Sequence, residues 1–134
     1  MARAFVLLLV ALTPVTRTAS DTADPNAELV SLVRLIATPE KYDGKVVQVV
    51  GFLRLEFEGN ALYIHEEDYK SGITKNAAWV VRNAKVNDRA EALNMHYVIL
   101  LGTFDAGRHG HMDLFSGSLT DIKSVILWPP RPPK

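Results

Sequence analysis

The stretch "DAGRHGHMDLFSG", residues 105–117, holds the densest set of potential metal ligands in the chain. His109, His111 and Asp113 stand at alternating positions, and in an extended segment alternate side chains point to the same side. Imidazole nitrogen and carboxylate oxygen together suit Zn²⁺ or another divalent transition metal. A complete site needs a further ligand, and His65, followed by Glu66, is the nearest candidate. No compact His-Glu-x-x-His motif accompanies them, and a glycine-flanked "GRHGH" equally describes a loop between two apolar runs. Divalent metal on His65, His109, His111 and Asp113 is therefore the alternative expectation, and a loop without a cofactor is the main one.

The acidic groups form a second set. Glu56, Glu58, Glu66, Glu67 and Asp68 flank one hairpin. A carboxylate pair can carry out general acid–base chemistry, but charges at the rim of a sheet usually keep its edges solvated. The Asp/Asn spacing of an EF-hand is missing, as are a Gly-x-Ser-x-Gly nucleophile turn and a phosphate-cradling glycine loop. With no cysteine either, the chain is expected not to be an enzyme. Two aromatics remain. Tyr63 and Trp79, if exposed, would form a platform on which bases or sugars stack, and if buried they belong to the core.

The elements that must position these residues follow from periodicity. Ser31 caps a short helix over Leu32 to Ala37, which Thr38-Pro39 ends because the residue before proline is pushed out of the α region. Gly44 supplies the turn after it. From Lys45 the period becomes two: "KVVQVVGFLRLEFE" places Val47, Val49, Gly51, Leu53, Leu55 and Phe57 on one face. A strand so long with a glycine at its centre is expected to coil strongly, as a small barrel requires. "LYIH" returns as a hairpin partner, "EEDYKSGITKN" reads as a polar loop, and "AAWVV" is a third strand. "NDRAEALN" is a short helix capped by Asn87 or Asp88 and stopped by Asn94. "HYVILLGTF" and "SLTDIKSVILW" complete the set, with Trp128 placed to close the open end of a barrel.

Three strands, a helix and two strands, preceded by a short N-terminal helix, is the order of an OB-fold. The fold class expected is all-β with short helices: a five-stranded OB-fold-like barrel with its helix between strands three and four. Ligands of such barrels sit on strands two and three, flanked by the loops joining strands one to two and four to five. That layout makes residues 105–117 a wall of the ligand face and predicts Tyr63, His65, Trp79 and His111 on one accessible surface.

"SLVRLIATPEKYDGKVVQVVGFL", with its Pro-x-x-Tyr-x-Gly-Lys turn and Val-x-Val-x-Gly run, resembles the opening of many bacterial OB-fold domains. Together with "LEFEGNALYIHEEDYKSGITKNAAWV" and "GHMDLFSG", it is similar to a group of small exported proteobacterial OB-fold-like proteins, an uncharacterised group. The resemblance covers roughly residues 30–126. It implies fold and export and brings no catalytic or binding residues with it.

The ends of the chain carry compartment signals. Arg3 followed by "AFVLLLVAL" and then Pro14 and small or polar residues has the pattern of a secretory signal peptide over residues 1–20. The apolar run is half what a membrane span needs. The remaining 21–128 make one OB-like domain, and 129–134 a proline-rich tail with polyproline character. Periplasmic or secreted localisation follows. Without cysteine there is neither a lipid-anchored N-terminal Cys nor a disulfide. Of 15 basic residues, Arg3 and Arg17 leave with the leader, so 13 stand against 15 acidic ones. Nucleic acid, which demands a basic excess or stripe, is not the expected partner. A protein, peptide or saccharide is, with membership of a larger envelope assembly as a further expectation.

Overall fold

The computed structural model describes residues 24–129. The leader expected over 1–20 and residues 130–134 of the tail lie outside them. After the two-residue strand β1 (Glu28–Leu29), Ser31 takes an extended conformation and its Oγ accepts from the Arg34 amide at 3.2 Å, opening α1 (Leu32–Ala37). Leu32 and Leu35 turn inward. Thr38 ends the helix with its N–H on the Arg34 carbonyl, one 3-10 turn follows at Pro39–Lys41, and Gly44 turns the chain at φ +74°.

The five long-range strands are β2 (Val46–Arg54), β3 (Ala61–Tyr63), β4 (Ala77–Val80), β5 (His96–Asp105) and β6 (Ser118–Leu127). β2 runs antiparallel to β5 from Val46↔Thr103 to Leu53↔His96, while its last residues also pair with β3, Phe52↔Tyr63 to Arg54↔Ala61. β3 pairs with β4, β4 runs parallel to β6, and β6 returns antiparallel to β5. The circuit β2-β3-β4-β6-β5-β2 is closed. β1 adds parallel to the first half of β2, through Glu28↔Val47 and Leu29↔Gln48. This is the OB-fold-like barrel expected from the element order, with a sixth, short strand on its side.

Closure depends on glycine. A Cβ at Gly51 would lie 2.7 Å from both Leu62 Cγ and the Tyr63 carbonyl oxygen. Only a residue without one lets β2 coil tightly enough to pair with β5 and β3 together. Opposite, the β5–β6 register shifts between Leu101 and Thr103, so that β6 bulges past Gly102. A Cβ there would meet the Thr120 carbonyl at 2.8 Å. The interior is filled by Val47, Val49, Leu53, Leu62, Leu100 and Phe104, with α1 and the α3–α4 pair packing Leu35, Val86 and Leu93 against the barrel.

Several expected boundaries move. β2 stops at Arg54, so Leu55 is buried in the turn and Phe57 stands 91% exposed instead of extending the apolar face. "EEDYKSGITKN" is no loop: it forms α2 (Glu66–Lys70) and a 3-10 turn at Thr74–Asn76, and His65 caps α2 instead of ending β3. The single helix between strands three and four is a pair, α3 (Ala84–Asn87) and α4 (Ala90–Leu93). Asn83 caps α3, its side chain accepting from the Val86 amide. The helix expected over 87–94 is α4, entered at Arg89 without a side-chain cap instead of at Asn87 or Asp88, and Asn94 ends it as expected. Trp128 does not seal the barrel. The β4–β6 pairing does, and Trp128 is 44% exposed in a groove with Tyr97 and Leu127.

Gly51→Ala tests the closure argument. The new methyl meets backbone that cannot rotate away, so a loss of about 1–3 kcal/mol is expected in urea unfolding. A variant as stable as the parent would show that β2 closes the barrel without this close approach.

Candidate ligand cleft

Along β3 and β4, Leu62, Ala78 and Val80 point into the barrel, and Ala61, Tyr63, Ala77 and Trp79 point out. The outer face is nonetheless dry. Phe52, Ala61, Tyr63, Ala77 and Phe115 form a second buried cluster, with Tyr69 and Trp79 packed against it. α2 lays Tyr69 over Tyr63 and Phe52, at ring-centroid distances of 5.6 Å and 6.2 Å. Phe115, from the loop between β5 and β6, tilts onto Trp79 at 5.2 Å. The surface where OB-folds usually meet their ligands is therefore roofed by this chain's own helix and loop.

Polar contacts hold the roof. Arg54 donates from Nε to the Tyr69 hydroxyl at 2.9 Å, from Nη1 to Asn94 Oδ1 at 3.2 Å, and from Nη2 to Glu56 Oε2 at 2.8 Å. Its guanidinium also lies 5.3 Å from the Tyr69 ring centre. The Asp68 carboxylate accepts from the His65 amide at 3.2 Å and from Asn76 Nδ2 at 3.1 Å, which ties both ends of the α2 segment together.

The loop at 106–117 is equally well fixed. The Phe115 carbonyl can only accept, so His109 Nδ1, 3.0 Å away, carries the proton and donates. Phe115 N–H returns to the His109 carbonyl at 3.0 Å. Ser118 Oγ donates to the Arg108 carbonyl at 2.6 Å and Lys75 Nζ to the Asp113 carbonyl at 3.2 Å. Gly110, at φ +67°, lies so close to Trp79 that a Cβ would sit 2.6 Å from the indole ring. Across from it, in the loop between β2 and β3, Glu58 Oε2 meets His111 Nε2 at 3.4 Å. The two loops are thereby joined at their tips. Glu58, Met112 and Asp113 all take left-handed backbone, at φ +55°, +52° and +61°. Such conformations are costly for residues other than glycine and concentrate at functional sites.

Between the loops lies an open cleft of about 590 Å³, with Trp79 at its floor and Glu58, Asn60, Arg108, His109 and His111 around it. Arg108 is exposed and makes no ion pair among the described residues. Asn60 lies deeper, its amide oxygen buried without a hydrogen-bond partner among the described residues. The cleft thus combines a half-buried aromatic face with a cation, a carboxylate–imidazole pair and an amide.

Of the four residues expected on one accessible surface, the structure brings together Trp79 and His111. Tyr63 is only 4% exposed, beneath Tyr69, and His65 is engaged at the start of α2. The metal set is not assembled: among the described residues no three His, Cys, Asp or Glu side chains come together to hold an ion. The histidines stand apart: the His65 backbone caps α2 while its side chain is exposed, His109 bonds the Phe115 carbonyl and His111 meets Glu58. Asp113 is exposed and its backbone is held by Lys75. Asn60, Arg108 and Gly110 join the site without having been singled out. Arg108 and Gly110 lay inside the histidine stretch, where ligand chemistry drew attention away from their charge and lack of a side chain.

Topology and site together define the class: an OB-fold-like barrel with a roofed outer face and a loop-walled cleft beside it. Comparison with protein-family models, with curated proteins and with solved structures finds no match. The class therefore stands on the strand circuit itself.

Burial holds the Tyr63 phenol above its ordinary value of 10.0, aided by the nearby Glu56 and Tyr69. Between 10.0 and that raised value the folded chain keeps a proton that the unfolded chain has lost, so folding stability falls as pH climbs past 10. Tyr63→Phe should lessen that alkaline slope in denaturant titrations while leaving stability near neutral pH within about 1 kcal/mol. An unchanged slope would place the titration elsewhere.

Proposed function

We propose that the protein is an exported, non-catalytic binding module that takes its ligand in the cleft between loops 55–60 and 106–117. The observation that carries this reading is the bracing of two strained loops around the half-buried face of Trp79. Holding Glu58, Met112 and Asp113 in left-handed backbone costs about 1–3 kcal/mol each, and the loops keep that geometry through the Glu58–His111 pair and the His109–Phe115 contacts. A preformed cleft lowers the entropy lost on binding, which is what a recognition site gains from such rigidity. Export is supported by the charged start, apolar core and small-residue run of residues 1–20. Among the described residues no helix is long and apolar enough to cross a membrane.

The ligand pool for this reading is protein, peptide or saccharide. Envelope extract separated into those fractions and titrated against labelled protein should shift the signals of Glu58, Asn60, Trp79 and residues 107–111. Arg108→Ala should weaken the response about tenfold without changing the melting temperature, since the side chain is exposed and unpaired. Shifts confined to the groove at Tyr97 and Trp128, with the cleft silent, would defeat the reading. Export has its own check: the intact mass of protein recovered from the periplasm should begin at Asp21, and a retained leader would contradict it.

A further inference from the structure

The lining of the cleft narrows the ligand class. We propose that the ligand is an acidic saccharide, with a pyranose ring stacked on Trp79 and its carboxylate on Arg108. This rests on the cleft being the binding site.

Three observations separate this ligand from the others. The first is that, among the described residues, the cleft offers no strand edge. Above it β3 is paired on both sides, by β2 and β4, and β4 likewise by β3 and β6. A peptide adding as an extra strand, which draws its affinity from main-chain hydrogen bonds, has nothing to pair with there. The apolar part of the floor is one indole face partly overlaid by Gly110, which is too small to grip successive side chains of a helix.

The second is charge. Among the described residues Arg108 is the only Lys or Arg side chain lining the cleft, and the Glu58 carboxylate lines it too. A polyphosphate backbone needs several cations along its track, so stacked nucleotides are disfavoured despite the aromatic floor. A single unpaired guanidinium instead suits one carboxylate, which it can hold with two parallel hydrogen bonds.

The third is the mixture of donors and acceptors. A sugar ring presents a C–H face that packs on an aromatic ring, and an edge of hydroxyls that both donate and accept. Glu58 is an acceptor, Arg108 a donor, and His111 and the amide of Asn60 offer both roles around the same ring. Asn60 lines the same cleft, its amide oxygen buried and without a hydrogen-bond partner among the described residues, so a hydroxyl donor there would satisfy it.

The test uses the processed chain, titrated by NMR with trigalacturonate and N-acetylmuramic acid, with maltotriose as the neutral sugar and a random tripeptide mixture as the peptide arm. Saturable shifts of the Trp79 indole N–H and the Gly110 amide are expected with at least one acidic sugar. Arg108→Gln should weaken that binding about tenfold, with less effect on the neutral sugar. Equal affinity for maltotriose and the acidic sugars would overturn the carboxylate assignment. Silence toward every sugar while tripeptides shift the cleft would overturn the saccharide inference and leave the cleft as the site. Shifts that avoid the cleft with every probe would overturn both. Glu91→Gln, at an exposed position on α4 outside the cleft lining, serves as the control substitution.

Discussion

At Gly51 the backbone of β2 comes within a methyl's width of β3, close enough that a Cβ would strike both a side chain and a carbonyl. The rest of the barrel depends on this approach. It lets one strand pair with β5 along its length and with β3 at its end, so a single sheet wraps on itself without a second long connection. Alternation along β2 turns Phe52 to the outer face, where it joins Tyr63 under α2 and makes that face a second core.

That second core reassigns the surface. Burying Phe52, Tyr63 and Phe115 stabilises the fold by about 1.5–3 kcal/mol per side chain on area grounds, and it does so with the face that OB-folds commonly leave to ligands. Under the proposed reading, recognition moves to the margin, where the roof ends and Trp79 is half covered. The roof and the cleft share parts: Phe115 closes one and, through its carbonyl on His109, shapes the wall of the other.

Much of the barrel was legible in the sequence because its signals are local. Ser31, Thr38-Pro39, Gly44 and the two-residue period of β2 each act within a few residues. Gly51, in the middle of an apolar run, announced the coil. α2 was hidden because it is one turn long and its only apolar anchor, Tyr69, pays off through contact with residues far along the chain. The histidine stretch misled for a related reason. Alternation implies a shared face only in extended backbone, and here Gly110, Met112 and Asp113 all turn left-handed. Each imidazole is sent to a different neighbour. Phe115, an apolar residue between two turns, was the available clue that this loop packs down.

The barrel closes between β4 and β6 through only two register pairs, Trp79↔Ser118 and Val80↔Leu119, against the long ladders β2–β5 and β5–β6. Three backbone bonds extend this seam, from Ser116 N–H to the Ala77 carbonyl, Trp79 N–H to the Gly117 carbonyl and Val81 N–H to the Leu119 carbonyl, so Trp79 is one of its stitches. The cleft floor and the seam are thus the same residue seen from two sides. Under the proposed reading, a ligand that binds only the closed barrel would stabilise it against local opening by mass action, with no moving lid required.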